Sequence, residues 1–548
     1  MDRVFDSSFV MLGKNMVFNS YQFVLAFMPI FMIGFYIVRS FGRKKGNERL
    51  FGDLWIIIMS LVFFSSFGVE NLAILLISIV WNVCTSIPMS FMRDQGARVK
   101  LFGRMMKPHK VWLFLGVSGN LVLLLFFKLS GFFLPLAISF YTFNQISYIV
   151  DLYRGEVDRF VARTYLTYVL FFPKLLQGPL MNYGSFSDEM DKVYGNSVIQ
   201  ESQTGGENAI PTQSLNWEKI MRGLLLFSIG LFKKVILADT FGKAVDAGFG
   251  SVQVLGSLEA LLTAVFYSFQ LYFDFSGYCD MAGGLCMMMG FDLIMNFDSP
   301  YKAVNIVDFW KRWHITLTKF FTKYIYIPLG GNRRGVVRTY VNLMIIFLIS
   351  GFWHGTGWTF IIWGAMHGAL YVITRMVQRR GADASGTGVK AASVNANNPE
   401  GKTVKRNSKQ SVGTLARRIF SIILTFAYVT AAWVFFRAES AMQAVTLLGR
   451  IFVGGSKTIA TALSSCFQLD ELWYVIKVTP LMRLPFVWDI CLWIFVAVSV
   501  IMIFFSPNAF RRVKTCRIGV MSTLLTAALL IWSIISFGGV STFLYMNF

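Results

Sequence analysis

Residues 339–376 read TYVNLMIIFLISGFWHGTGWTFIIWGAMHGALYVITRM. Two apolar runs meet at Gly355-Thr-Gly357, with Arg333, Arg334 and Arg338 before them and Arg375, Arg379 and Arg380 after. Apolar runs of about 17–25 residues bounded by cations are what a bilayer-crossing helix requires. The pattern predicts one helix near 339–355 leaving a basic face and a second near 357–376 returning to it. This stretch also carries two of the four histidines of the chain, His354 and His367, and a third, His314, lies just upstream. An ionisable side chain is costly near a bilayer core, so histidines placed there mark where chemistry is to be sought.

The same alternation extends outward along the 548 residues. The chain is 55% hydrophobic and 16% aromatic, and apolar runs recur from end to end. The expected fold class is an all-α polytopic membrane protein with roughly 11–13 hydrophobic segments, re-entrant ones included, the count being least defined between 255 and 330. Phe18–Val38 is followed by Arg39, Arg43, Lys44 and Lys45 and reads as a retained first membrane helix, not a cleaved signal peptide.

The net charge is +22. Its cations collect at 39–49, 93–110, 332–338, 375–418 and 511–517, the pattern of loops on the cytoplasmic side. Topology and contact with lipid headgroups explain this charge, and no nucleic-acid partner is expected. The segment 188–207 holds Asp188, Glu189, Asp191, Glu201 and Glu207 against Lys192, which places it on the outer side. Chaining the loops puts both termini outside. The six cysteines, Cys84, Cys279, Cys286, Cys466, Cys491 and Cys516, show no ligand spacing and read as small buried hydrophobes. The expected units are N-terminal membrane helices (1–183), an extracytoplasmic polar loop (184–216), a motif-bearing core (217–378), a Gly/Ser/Asn/Lys-rich cytoplasmic linker (379–415) and C-terminal membrane helices (416–548).

Polar residues interrupt the apolar runs in several places. Asn144 and Gln145 lie inside Phe140–Asp151, and Pro173, Gln177, Gly178 and Pro179 break another run. Buried polar groups of this kind need partners in the bundle or a water-filled cavity, so helix–helix hydrogen bonding and substrate contact both remain open. Asp274 and Asp280, within Tyr272–Asp280, are candidates for a proton relay, an ion site, or the support of an unwound membrane segment. Phe309-Trp-Lys-Arg-Trp-His314 has the composition of an interfacial helix, and Pro328–Arg334 that of a turn ending a re-entrant segment. The three histidines lack the i, i+4 spacing of metal ligands on one helix face, and no metal is expected. The residues thus define a membrane bundle with a central cavity and one to three histidines in it.

Five motifs stand in order: Tyr272–Asp280, Asn296-Phe-Asp-Ser-Pro-Tyr301, Phe309-Trp-Lys-Arg-Trp-His-Ile-Thr-Leu317, Tyr326-Ile-Pro-Leu-Gly-Gly-Asn-Arg333 and Ser350-Gly-Phe-Trp-His-Gly355. The series resembles the membrane-bound O-acyltransferase (MBOAT) family, in its bacterial branch that includes alginate and peptidoglycan O-acetylation membrane proteins. The resemblance covers most of 17–378 and, more weakly, the C-terminus.

It implies a helical bundle with a central tunnel that passes an acyl group, acetyl in this branch, from a cytoplasmic thioester donor such as acetyl-CoA to an extracytoplasmic hydroxyl, with no bound cofactor. It implies that His354 is catalytic, that His314 is a second functional position, and that His367, Trp353 and Asp274 are supporting candidates. The end motif Phe543-Leu-Tyr-Met-Asn-Phe548 resembles one whose tyrosine relays the acyl group, here Tyr545, although Met546 and Asn547 depart from the usual pair; an interfacial aromatic anchor is the alternative. An extracytoplasmic partner of serine-hydrolase-like type would complete polysaccharide O-acetylation at a bacterial cytoplasmic membrane. D-alanyl transfer to teichoic acid is the alternative within the family, and an acyl or lipid transporter the alternative outside it.

Overall fold

A computed structural model describes residues 16–93, 99–101, 104–195, 216–384, 412–456, 458–480, 484, 486–539 and 543–544. The fold is an all-α polytopic bundle, with one short antiparallel hairpin pairing Val99–Leu101 with Arg104–Met106. Among the described residues eight helices are long and apolar enough to cross a membrane: Gln22–Lys44, Val69–Met92, Pro108–Leu129, Val336–His354, Trp358–Gly381, Gly413–Arg437, Val487–Phe505 and Val520–Gly538. Glu48–Ser65, a continuous helical rod over 217–250 and the 33-residue Ser257–Met289 complete the long elements. Of these, the 217–250 rod and Ser257–Met289 lie deepest in the bundle. Nearly every residue of Ser257–Met289 is buried, which makes it the central post.

Glycine sets the closest crossing. A Cβ on Gly230 would stand 2.5 Å from the Gly277 carbonyl, and one on Gly284 would stand 2.5 Å from the Gly223 carbonyl. Small residues at helix contacts let backbones meet where lipid offers no hydrophobic drive for association. The segment Tyr272–Asp280, one expectation for which was an unwound stretch, is therefore regular helix; its glycine packs against a neighbour and does not break the turn.

Two faces follow from the ion pairs. On one, Glu48 binds Arg39 at 2.6 Å and Arg43 at 2.8 Å, and Arg49 pairs with Asp191. Arg39 donates to the Val193 carbonyl at 2.6 Å, the Asp292 N–H to Glu189 at 3.2 Å, and Lys514 and Arg511 pair with Asp292 and Asp298. On the other face Arg437 meets Asp246 and Tyr21 packs on Phe537. The acid-rich segment expected on the outer side is corrected here. Its described part, the helix Tyr183–Val193, lies on the basic face with residues 39–49, because its carboxylates are the counter-charges of that face. Residues 196–215 and most of the 379–415 linker lie outside the described residues.

Two re-entrant segments rise from this basic face. The first begins where Arg163 meets Asp53 at 3.1 Å, breaks at Phe171, and returns through Tyr183–Val193. The second runs from 290 to 326 through the short helices Ile306–Arg312 and Ile315–Phe321. The polar interruption at Gln145 resolves into helix–helix bonds. Gln145 accepts from Ser78 at 2.8 Å and from Asn82, and Asn120 donates to Asn82 at 2.8 Å.

Candidate active site

His354 is the last residue of Val336–His354. This helix meets Trp358–Gly381 at glycines: a Cβ on Gly351 would lie 2.4 Å from the Phe360 carbonyl, and one on Gly364 would lie 2.5 Å from the Phe347 carbonyl. The chain turns through an extended Gly355, which lets the two helices fold back on each other. At the helix end Lys128 donates to the Trp353 carbonyl, one of the acceptors that helix termination leaves open. The His354 ring is buried among Trp353 (4.5 Å), Phe436 (5.0 Å) and Trp363 (5.2 Å).

His314 arrives from the second re-entrant segment. Asn305 caps Ile306–Arg312 by accepting from the Asp308 N–H at 2.9 Å. The helix ends at Trp313, and His314 takes a left-handed backbone with φ 44°. That conformation is costly for a non-glycine residue and persists only where neighbours hold it. Asn296 does so. Its backbone carbonyl accepts from the Ile315 N–H at 3.0 Å, and its side-chain Oδ1 accepts from the Thr316 N–H (3.2 Å) and the Thr316 hydroxyl (2.9 Å) and contacts His314 Nδ1 at 3.3 Å. Because the Thr316 N–H can only donate, Oδ1 is the acceptor, and His314 Nδ1 must carry the proton. The lone pair of a neutral His314 then sits on Nε2, which is buried with no hydrogen-bond partner among the described residues.

Trp353 joins the two histidines. Its indole lies 6.4 Å from the His314 ring and 4.5 Å from the His354 ring, and it stacks on Phe143 at 5.3 Å. Its Nε1–H is buried and also lacks a partner among the described residues. The site thus offers, among the described residues, an unpaired acceptor and an unpaired donor enclosed by aromatic rings, the pairing that a hydroxyl and a carbonyl oxygen require.

His367 stands beside this chamber in a different role. Its Nδ1 accepts from Trp310 Nε1–H at 3.3 Å, and its ring is enclosed by Trp363, Trp310 and Trp433. It locks the segment that delivers His314 onto the helix after His354. That segment is not interfacial: Phe309, Trp310 and Trp313 are buried in the bundle, while Lys311 is exposed and Arg312 turns to Asp308 at 2.8 Å.

Asp274 serves neither histidine directly. It pairs with Lys234 at 2.7 Å, and Lys234 also holds Asp239 at 2.9 Å. Its second oxygen accepts from the Leu544 N–H at 3.1 Å, and the Phe543 ring is fully buried 4.7 Å from the Lys234 ammonium. The described part of the C-terminal motif is therefore threaded into the bundle and does not lie at a membrane interface; Tyr545 lies outside the described residues. Asp280 is likewise ion-paired, to Lys233 at 2.6 Å. Sequence reasoning missed Asn296 as a positioning residue and Lys128 as a cap. For the first a signal existed, since Asn296 opens one of the ordered motifs.

The structure is a multi-pass helical bundle that buries two histidines around one indole, with re-entrant segments rising from a basic face. Comparison with known proteins identifies its family. The sequence model of MBOAT, the membrane-bound O-acyltransferase family, matches residues 156–399. The chain is 32% identical over 477 residues to a peptidoglycan O-acetyltransferase of Helicobacter pylori, covering 79% of each. It is 33% identical over 482 residues to a probable alginate O-acetylase, AlgI, of Pseudomonas syringae pv. tomato, covering 83% of this chain and 77% of that one. A teichoic acid D-alanyltransferase of Streptococcus thermophilus is more distant, at 24% over 256 residues, 43% of this chain and 56% of that one. The chain belongs to the membrane-bound O-acyltransferase family and is an O-acyltransferase.

Proposed function

We propose that this protein takes an acetyl group from a thioester donor on the cytoplasmic, basic face and passes it to a hydroxyl on the other face, for O-acetylation of an extracytoplasmic polysaccharide. The observation that carries this reading is the pair of buried imidazoles flanking Trp353, reached from the basic face by the second re-entrant segment. The peptidoglycan and alginate relatives, each matched over most of the chain, support acetyl over D-alanyl, because the D-alanyltransferase match covers less than half of it. The basic loops support a cytoplasmic orientation of that face in a bacterial inner membrane.

His354 removes the proton of the acceptor hydroxyl, whose oxygen attacks the thioester carbonyl; the C–S bond then breaks, and the departing thiolate takes the proton back from the imidazolium. His314 assists proton transfer, and Trp353 Nε1–H donates to the carbonyl oxygen as negative charge gathers on it. The acceptor is Tyr545 or a hydroxyl of an extracytoplasmic partner of serine-hydrolase-like type, which then delivers the group to the glycan. A second reading exchanges the two histidines, and one observation favours it: Asn296 fixes the proton on His314 Nδ1 and leaves Nε2 as the ready base. Acetyl transfer by purified His354→Ala and His314→Ala tests both. The variant that loses transfer completely names the base, and full activity in both would refute the site.

A further inference from the structure

Among the described residues three lysines are buried beside the central post, and they are not equivalent. Lys233 and Lys234 are neutralised by Asp280, Asp274 and Asp239 at 2.6–2.9 Å. Lys174, on the first re-entrant segment and 1% exposed, has no carboxylate partner among the described residues. Among the described residues its ammonium contacts the Asn144 amide oxygen at 3.4 Å and the faces of Tyr168 at 3.7 Å and Phe186 at 5.4 Å. One turn on, Gln177 is fully buried, and both its Oε1 and its Nε2 lack partners among the described residues. Burying an amide with both ends unmet is costly, and burying a cation without its counter-charge is costlier still. Two such groups on one short segment call for a ligand that meets them.

The segment lies between the basic face and the histidines. It starts at the Arg163–Asp53 pair, and beyond Gln177 the Leu180 N–H donates to Thr316 Oγ1 at 3.0 Å, two residues past His314. Asn144, the partner of Lys174, follows Phe143, whose ring stacks on Trp353. This segment thus joins the basic face to the turn that carries His314. An amide presents one N–H and one C=O, the complement of the two ends of Gln177, and a second carbonyl oxygen suits an ammonium that has no carboxylate.

We propose that Lys174 and Gln177 form a second polar site that grips the amide-bearing arm of the thioester donor, Gln177 pairing with an amide of the arm and Lys174 donating to an arm carbonyl oxygen. The proposal rests on the thioester reading above. It makes the two residues determinants of donor specificity that do not touch the reacting carbonyl.

The test uses the full chain in proteoliposomes with two acetyl donors, S-acetylpantetheine, which carries the amide-bearing arm without a nucleotide, and S-octyl thioacetate, which carries no amide. Gln177→Leu and Lys174→Met are each expected to reduce the preference for the amide-bearing donor, as a ratio of kcat/KM, by about 10–100-fold. Their thermal midpoints in detergent should equal or exceed that of the native protein, because an apolar side chain replaces an unmet polar one. A structural role would instead lower the midpoint and leave the ratio where it was. An unchanged ratio in both variants overturns the proposal and leaves the histidine assignment standing. Failure of the native protein to use either thioester overturns both.

Discussion

Asn296→Ala is the most informative single change, because it alters neither histidine. Three contacts of Oδ1 are lost at once, to the Thr316 N–H, the Thr316 hydroxyl and His314 Nδ1. The Thr316 N–H is left buried and unmet, at a cost of about 1–3 kcal/mol. His314, at φ 44°, stores roughly 1–3 kcal/mol of backbone strain that the remaining contacts no longer oppose, so the ring leaves its position. The proton of the imidazole is then free to settle on either nitrogen. Removing a partner that orients a working imidazole costs roughly 10–100-fold in activity, equivalent to about 1.4–2.7 kcal/mol of barrier. The assay is transfer of labelled acetyl from a thioester to a hydroxyl acceptor in proteoliposomes, with the thermal midpoint in detergent measured beside it. Asn296→Asp keeps an acceptor at the same position and should recover most of the lost rate. If Asn296→Ala kept kcat within about twofold while the midpoint fell, Asn296 would be a packing residue, and its role in presenting His314 would be refuted.

Other outcomes follow from the same geometry. His367→Phe should preserve the aromatic cage but leave the Trp310 Nε1–H unmet, lowering stability by about 1–3 kcal/mol and activity less than His314→Ala does, as read by melting and by transfer rate. Asp274→Asn should cost less than the ~3–5 kcal/mol of a broken buried pair, because Lys234 keeps Asp239. In the same variant a C-terminal tag should become more accessible to protease, since the Leu544 bond weakens. Gly230→Val should force the central helices apart at a contact where even a Cβ would stand 2.5 Å from the Gly277 carbonyl, with a loss of at least about 1–3 kcal/mol in thermal stability.

Much of this was legible in the sequence. Apolar runs flanked by cations at 339–376 set the membrane bundle, and the five ordered motifs marked His314 and His354. What stayed hidden depended on return paths. Asn296 meets His314 only because an 18-residue excursion folds back on itself. Trp353 stands between the histidines because Gly351 and Gly364 let two helices cross closely, and a glycine in sequence does not reveal which backbone approaches it. The acids near 188–191 looked like an outer loop because charge was counted along the chain; in three dimensions they neutralise Arg49 and cap the 292 turn on the basic face. Asp274, in a motif with glycine and aromatics, resembled a site of unwinding, and its partner Lys234 sits 40 residues away on a neighbouring helix. Gln177 was visible as a polar break, but that its amide lacks a partner among the described residues could be learned only from the packed structure.

The central claim is that an acetyl group crosses the bundle as a covalent acyl transfer at the Trp353-flanking histidines. It is tested most directly in sealed proteoliposomes given labelled acetyl thioester on the basic face only, with a hydroxyl acceptor trapped on the other. The account predicts O-linked label on the trapped acceptor with the native protein and none with His354→Ala or with His314→Ala, according to which is the base. Label that crosses still attached to sulfur, or O-linked label formed equally well when both histidines are replaced, would contradict it.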